Sequence, residues 1–98
     1  MKESEFQRKL IKEIEERLPG CIVMKNDANY RQGFPDLSIF YGNKWATLEV
    51  KAHGSAHHQP NQDYWVNRCA NMGFSAFIFP ENKEVILDAM ERSLKRST

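Results

Sequence analysis

"FPDLSIFYGNKWATLEVK", residues 34–51, is the stretch on which the fold turns. Gly42-Asn43 is a two-residue hairpin signal, and both flanks carry alternating apolar, β-branched and aromatic residues. The pattern predicts two antiparallel strands, Pro35–Tyr41 and Trp45–Lys51. Successive side chains on a strand point to opposite faces. Asp36, Ser38 and Phe40 therefore share one face of the first strand, and Trp45, Thr47, Glu49 and Lys51 share one face of the second. A turn centred on Gly42-Asn43 pairs Tyr41 with Lys44 and Phe40 with Trp45, and counting back sets Asp36 opposite Glu49. A four-residue loop on the same centre keeps this register, whereas an odd-length loop would shift it.

Two carboxylates directly opposite each other destabilise a sheet, and like charges at short range raise the pKa of one of them. A divalent cation removes the conflict. Oxygen ligands from Asp36 and Glu49 suit Mg²⁺ or Mn²⁺, which keep several waters and accept substrate phosphates. Lys51 lies two residues beyond Glu49 on the same face, where its side chain can position or deprotonate a water or stabilise charge on a phosphate. A purely structural reading makes Asp36 a turn cap after Pro35. It makes Glu49 and Lys51 an exposed edge-strand salt bridge worth about 0–1 kcal/mol. The Asp36 register favours the chemical reading.

Outward from the hairpin, Phe6, Leu10, Ile11, Ile14 and Leu18 recur at helical spacing. Ser4 with Gln7 forms a candidate capping box, and Pro19-Gly20 ends that helix. "CIVMK" (21–25) reads as a short strand and "NDANYRQG" (26–33) as a loop. After the hairpin, "AHGSAHHQ" (52–59) is a loop, and Pro60 suits the first turn of a second helix. That helix carries Trp65, Val66, Cys69 and Met72 on its apolar face and Gly73 as its stop. "FSAFIF" (74–79) is a buried strand ended by Pro80. Asn82 then caps a last helix bearing Val85, Ile86, Ala89, Met90 and Leu94. The order αβββαβα predicts an α/β fold, a mixed sheet with helices packed on it.

Ninety-eight residues make one small domain, residues 1–98, with 41% hydrophobic and 28% charged residues and no low-complexity tract. The formal net charge of +1 neither demands nor excludes a nucleic-acid partner. No apolar run approaches the ~20 residues that span a bilayer. "MKESEFQRKL" lacks the apolar core of a signal peptide. Cys21 and Cys69 fit buried, reduced thiols, and a cytoplasmic protein is expected. His53, His57 and His58 lack further ligands at metal-binding spacing and read as a solvated loop.

"PD", then thirteen residues from Asp36 to Glu49, then "EVK", resembles the PD-(D/E)xK nuclease superfamily. "ESEFQRKL" (3–10), "GFPDL" (33–37), "LEVK" (48–51) and "QPNQDYWVNRCANMGFSAFIF" (59–79) are similar to successive segments of its VRR-NUC family, in compact phage or bacterial form. The resemblance covers roughly residues 3 to 80. It implies a restriction-endonuclease-like fold, an αβββαβ core whose mixed sheet is flanked by helices, followed here by a C-terminal helix. The implied activity is metal-dependent endonucleolytic cleavage of DNA phosphodiesters, structure-selective and directed at branched DNA such as Holliday junctions, by a homodimer in a bacterial or phage-infected host cytoplasm. By the same resemblance Asp36, Glu49 and the Val50 carbonyl ligate Mg²⁺ or Mn²⁺, Lys51 is the catalytic lysine, and Gln62 supports Lys51 or a phosphate. An acid on the first helix completes the set. Glu3 and Glu5 both qualify, and helical phase favours Glu3, which shares the Phe6–Leu10–Ile14 face with Gln7.

Arg31, Lys25 and Lys44 are the candidate phosphate contacts near the site, with Gln7 beside Glu3. The loop after the lysine motif, "AHGSAHH", lacks the basic residues that related proteins often place there, which leaves His57 or His58 for a phosphate. Tyr64 and Trp65 point to different faces of their helix, so one is a candidate interface anchor. The alternative readings are a catalytically weak or inactive module that grips branched DNA, and an interaction protein with an incidental motif.

Overall fold

In a computed structural model, which describes residues 1–96, the chain forms α1 (Glu3–Arg17), β1 (Ile22–Lys25), β2 (Leu37–Tyr41), β3 (Lys44–Val50), α2 (Pro60–Ala70), β4 (Phe74–Ile78), a 3-10 turn (Pro80–Asn82) and α3 (Lys83–Lys95). The sheet order is β1-β2-β3-β4. The first three strands are antiparallel, and β4 runs parallel to β3 after the α2 crossover. The α/β class, the element order and the mixed sheet follow the sequence pattern.

The hairpin register is the expected one: Tyr41 faces Lys44, Phe40 faces Trp45, and the ladder continues to Leu37 and Leu48. One sheet face carries Leu37 and Ile39 of β2, Ala46, Leu48 and Val50 of β3 and Ile78 of β4. These pack against Phe6, Leu10 and Ile14 of α1 and Leu87, Met90 and Leu94 of α3 to form the core. On the opposite face α2 covers β3 and β4, burying Val66 and Cys69. The β1–β2 half of that face has no helix over it, and Ile22, Met24 and Phe40 are exposed there.

Several local expectations change. Ser4 and Gln7 form no capping box: the N-cap of α1 is Lys2, without a side-chain cap bond, and Ser4 is already helical. Asn82 does not cap α3 through its side chain. It closes the preceding turn instead, accepting the Phe79 N–H at 2.9 Å and donating to the Phe77 carbonyl at 3.1 Å. Met72 lies beyond the end of α2 and is exposed, as is Val85 on α3. Gly73 is not a left-handed helix stop; it is small because the Trp45 indole passes close, and a Cβ there would stand 3.0 Å from the ring. Both cysteines are free. Among the described residues no helix is long and apolar enough to cross a membrane.

Leu48 is fully buried on the central strand pair. Leu48→Ala is expected to cost about 2–5 kcal/mol by lost burial and a residual cavity, read as a lower urea midpoint with unchanged slope; a loss under about 1 kcal/mol would contradict the core assigned here.

Candidate active site

The site lies where β2 begins and β3 ends. Glu49 and Lys51 are 4% and 7% exposed, the only buried charged residues among those described. Burying a charge is costly unless it is paired and hydrogen-bonded, and here a built network meets that need. Gln62, on the first turn of α2, donates from Nε2 to Glu49 Oε2 at 2.9 Å and accepts from Lys51 Nζ at 2.8 Å on Oε1. The same Oε1 accepts the Gln59 N–H at 2.9 Å, which closes the N-terminus of α2. Lys51 Nζ also donates to the His57 carbonyl at 3.0 Å and stands 4.0 Å from Glu49 Oε2. Gln62 thus sets the α2 helix, the carboxylate and the lysine in one arrangement.

Asp36 joins from β2. One residue beyond the Leu37–Leu48 pair, the register sets it opposite Glu49. Its Oδ2 accepts the Val50 N–H at 2.9 Å, and its carbonyl accepts the Asn26 N–H at 2.8 Å. Pro35 explains this geometry. Continued by two residues, the ladder sets Pro35 opposite Val50, and a proline has no N–H to give the Val50 carbonyl. The Pro35 carbonyl is itself taken by the Asn26 side-chain amide at 2.8 Å. The Val50 N–H therefore turns to Asp36, and the Val50 carbonyl has no ladder donor. On the other side, the Lys51 N–H donates to the Ile78 carbonyl at 2.9 Å, and Pro80 follows where the next parallel donor would stand. Two prolines thus end the pairing on both sides of β3 at the point where the charged residues emerge.

The electrostatics are those of two crowded acids. Burial, then the neighbouring Asp36, pushes the Glu49 carboxyl up to about 8, against the pull of Lys51. Burial also raises Asp36, opposed by the Val50 N–H. The two carboxyls stand close enough to share a proton. Glu3, at the N-terminus of α1, is raised by partial burial and by Asp36, and it feels Lys51. Glu5 pairs instead with Lys9 on the same helix at 3.9 Å. Of the two first-helix acids, Glu3 is the one in the field of the site.

Among the described residues no three His, Cys, Asp or Glu side chains gather into a ready-made metal cage. The donor set still fits Mg²⁺ or Mn²⁺: two carboxylates whose mutual repulsion a dication relieves, one carbonyl without a ladder donor, and waters for the rest. Zn²⁺, which wants nitrogen or sulfur ligands, has no such set here.

The other expected residues divide. Arg31 lies in the loop leading to Asp36, its guanidinium 5.2 Å over the Trp65 ring. Lys25 is exposed at the end of β1, beside the Asn26 that holds the Asp36 backbone. Lys44 does not border the site. The hairpin carries it to the opposite end of β3, five residues and about 17 Å from Glu49 at strand rise. Gln7 is half-buried on α1. His57 contributes its backbone carbonyl, and His58 stacks on Phe77 at 4.0 Å and reaches Asp63 at 3.1 Å. Tyr64 is exposed, while Trp65 is half-buried against Phe34. The roles of Pro35, Asn26 and the His57 carbonyl were not foreseen. A proline facing a strand end was the available signal for the first; the other two depend on loop conformation.

No family model matches the chain, and no curated protein or solved structure is significantly similar to it.

Because Glu49 titrates near 4.5 when unfolded and at about 8 when folded, the folded state holds the extra proton between those values. Without metal, its contribution to stability is complete below the unfolded value and is lost as pH rises through the folded one. Urea midpoints in chelator should therefore fall from pH about 5 to about 8 in the wild type and stay flatter in Glu49→Gln. Parallel profiles would contradict the assignment.

Proposed function

We propose that this chain is a metal-dependent endodeoxyribonuclease with a restriction-endonuclease-like fold of the VRR-NUC kind, hydrolysing phosphodiester bonds in branched DNA such as Holliday junctions. The observation that carries the reading is the Asp36–Glu49–Lys51–Gln62 cluster, in which Glu49 and Lys51 are buried and Asp36 and Gln62 half-buried. A small sheet gains no stability from two facing carboxyls and a lysine in its interior, and pairs of this kind are often replaceable by apolar residues without loss. Perturbed, converging ionisable groups mark functional sites.

When bound, Mg²⁺ or Mn²⁺ would lower the pKa of an attacking water and neutralise charge on the phosphate. Asp36, Glu49 and the Val50 carbonyl would hold it, with Glu3 acting through a water. Lys51, fixed by Gln62 and the His57 carbonyl, orients the nucleophilic water and stabilises the negative charge that develops as it attacks. Gln62 keeps Lys51 and Glu49 at a fixed separation, so the lysine enters already placed. Arg31, in the loop leading to Asp36, and Lys25, at the end of β1, supply positive charge beside the site. A homodimer matches paired cuts in a symmetric junction. The uncovered apolar half of the sheet, with Ile22, Met24 and Phe40 exposed, gives a second copy a surface to bury.

Incubation of labelled four-way junction, flap, linear duplex and single strand with Mn²⁺ or with EDTA tests the reading. Paired junction cuts that vanish with EDTA and in Glu49→Ala are expected, with Lys51→Ala slower by about 10²- to 10⁴-fold. Junction binding without cleavage of any substrate would favour the binding module. Full activity of Lys51→Ala would remove the lysine from the chemistry.

A further inference from the structure

Beside the acidic site the surface changes character. The loop between β1 and β2 and the first turns of α2 bring together Tyr30, Arg31, Phe34, Tyr64 and Trp65. The Arg31 guanidinium lies 5.2 Å over the Trp65 ring and 5.8 Å from the Tyr30 ring. Phe34 and Tyr64 each meet the Trp65 ring edge-on, at 5.5 Å and 5.1 Å. Tyr30 is 82% exposed and Tyr64 54% exposed. A groove of about 310 Å³ runs along Asn26, Asp27, Tyr30, Arg31 and Phe34.

The core does not require this arrangement, because none of these five side chains belongs to the buried cluster. The loop is nevertheless held in place. Gly33 has φ +84°, and a Cβ on it would collide with Asn61 at the start of α2, so only glycine lets the loop lie against the helix. Asn26 ties the loop to the Pro35 carbonyl at 2.8 Å and to Ser38 Oγ at 2.9 Å.

We propose that this surface is a stacking platform for an unpaired base of the DNA strand whose phosphate lies at the Asp36–Glu49 site. The proposal rests on the nuclease reading and narrows its substrate to DNA that is unpaired beside the cut. Aromatic side chains with an adjacent guanidinium bind bases through their π-faces. A base inside a duplex already has both faces stacked, so the platform rewards only one that has left the stack. The Asp27 carboxylate, which accepts the Asn29 N–H at 2.8 Å, lines the groove and disfavours a phosphate within it. Arg31 at the rim is the group that meets the backbone. Phe34 stands two residues before Asp36, at most about 7 Å along the chain, so base and phosphate of neighbouring nucleotides reach the two places together.

Fluorescence anisotropy in EDTA, with labelled oligo-dT and a duplex of equal length, reads the platform without cleavage. Tyr30→Ala should weaken oligo-dT binding by about 5- to 100-fold and leave duplex binding within about twofold, while Tyr30→Phe, which keeps the π-face, retains wild-type affinity. Tyr30 is exposed, and an unchanged melting midpoint confirms that the variant is folded. Equal losses on both ligands, or none on either, overturn the platform. Cleavage by wild type in Mn²⁺ is scored separately, so absence of cleavage with a selective Tyr30 effect would sink the nuclease reading and leave the platform standing.

Discussion

Two carboxyl groups meet across the open end of the β2–β3 pair, and much of the molecule is arranged around their repulsion. Burial and proximity keep one proton on the pair, with Glu49 held up to about 8. The lysine beside them is nearly as buried. Gln62 bonds both Glu49 and Lys51 from the helix start that its own Oε1 closes, and the His57 carbonyl and the Val50 N–H complete the set. Among the described residues no buried side-chain polar atom is left without a partner. The network is therefore complete as built, and its one unrelieved feature is the crowding of the two acids.

The layering of the sheet makes this tolerable. On β3, Ala46, Leu48 and Val50 point into the core with α1 and α3, while Thr47 and Glu49 point the other way. Thr47 is buried on that second face but bonds Ser75 Oγ at 2.8 Å. The core thus rests on one face, and the second face is free to carry chemistry under α2 at one end and an uncovered apolar half at the other. Removing the charge conflict should leave the fold standing, because no core contact runs through it.

Legibility in the sequence follows how local each determinant is. Gly42-Asn43 and the alternation around it set the register to the residue, and with it the Asp36–Glu49 confrontation. The 3.6-residue spacing of Phe6, Leu10 and Ile14 placed α1 and pointed Glu3 rather than Glu5 toward the site. Gln62 could be placed near Lys51 only through resemblance; its double hydrogen bond depends on how α2 returns over β3. Lys44 misled because closeness in sequence is not closeness in space on a strand that runs away from the site. Ser4 carried cap chemistry inside a helix that had already begun, and the Asn82 side chain closed the preceding turn instead. The Trp65–Phe34–Arg31 contacts join residues about thirty positions apart, and no periodicity announces them.

The central claim is that Asp36 and Glu49 hold a dication in place of their shared proton. Calorimetric titration of Mn²⁺ at pH about 7, in two buffers of different ionisation enthalpy, measures both binding and proton release. The account predicts saturable binding with close to one proton released in the wild type, and neither in Glu49→Gln. Binding that releases no proton, or that persists unchanged in the variant, would contradict it.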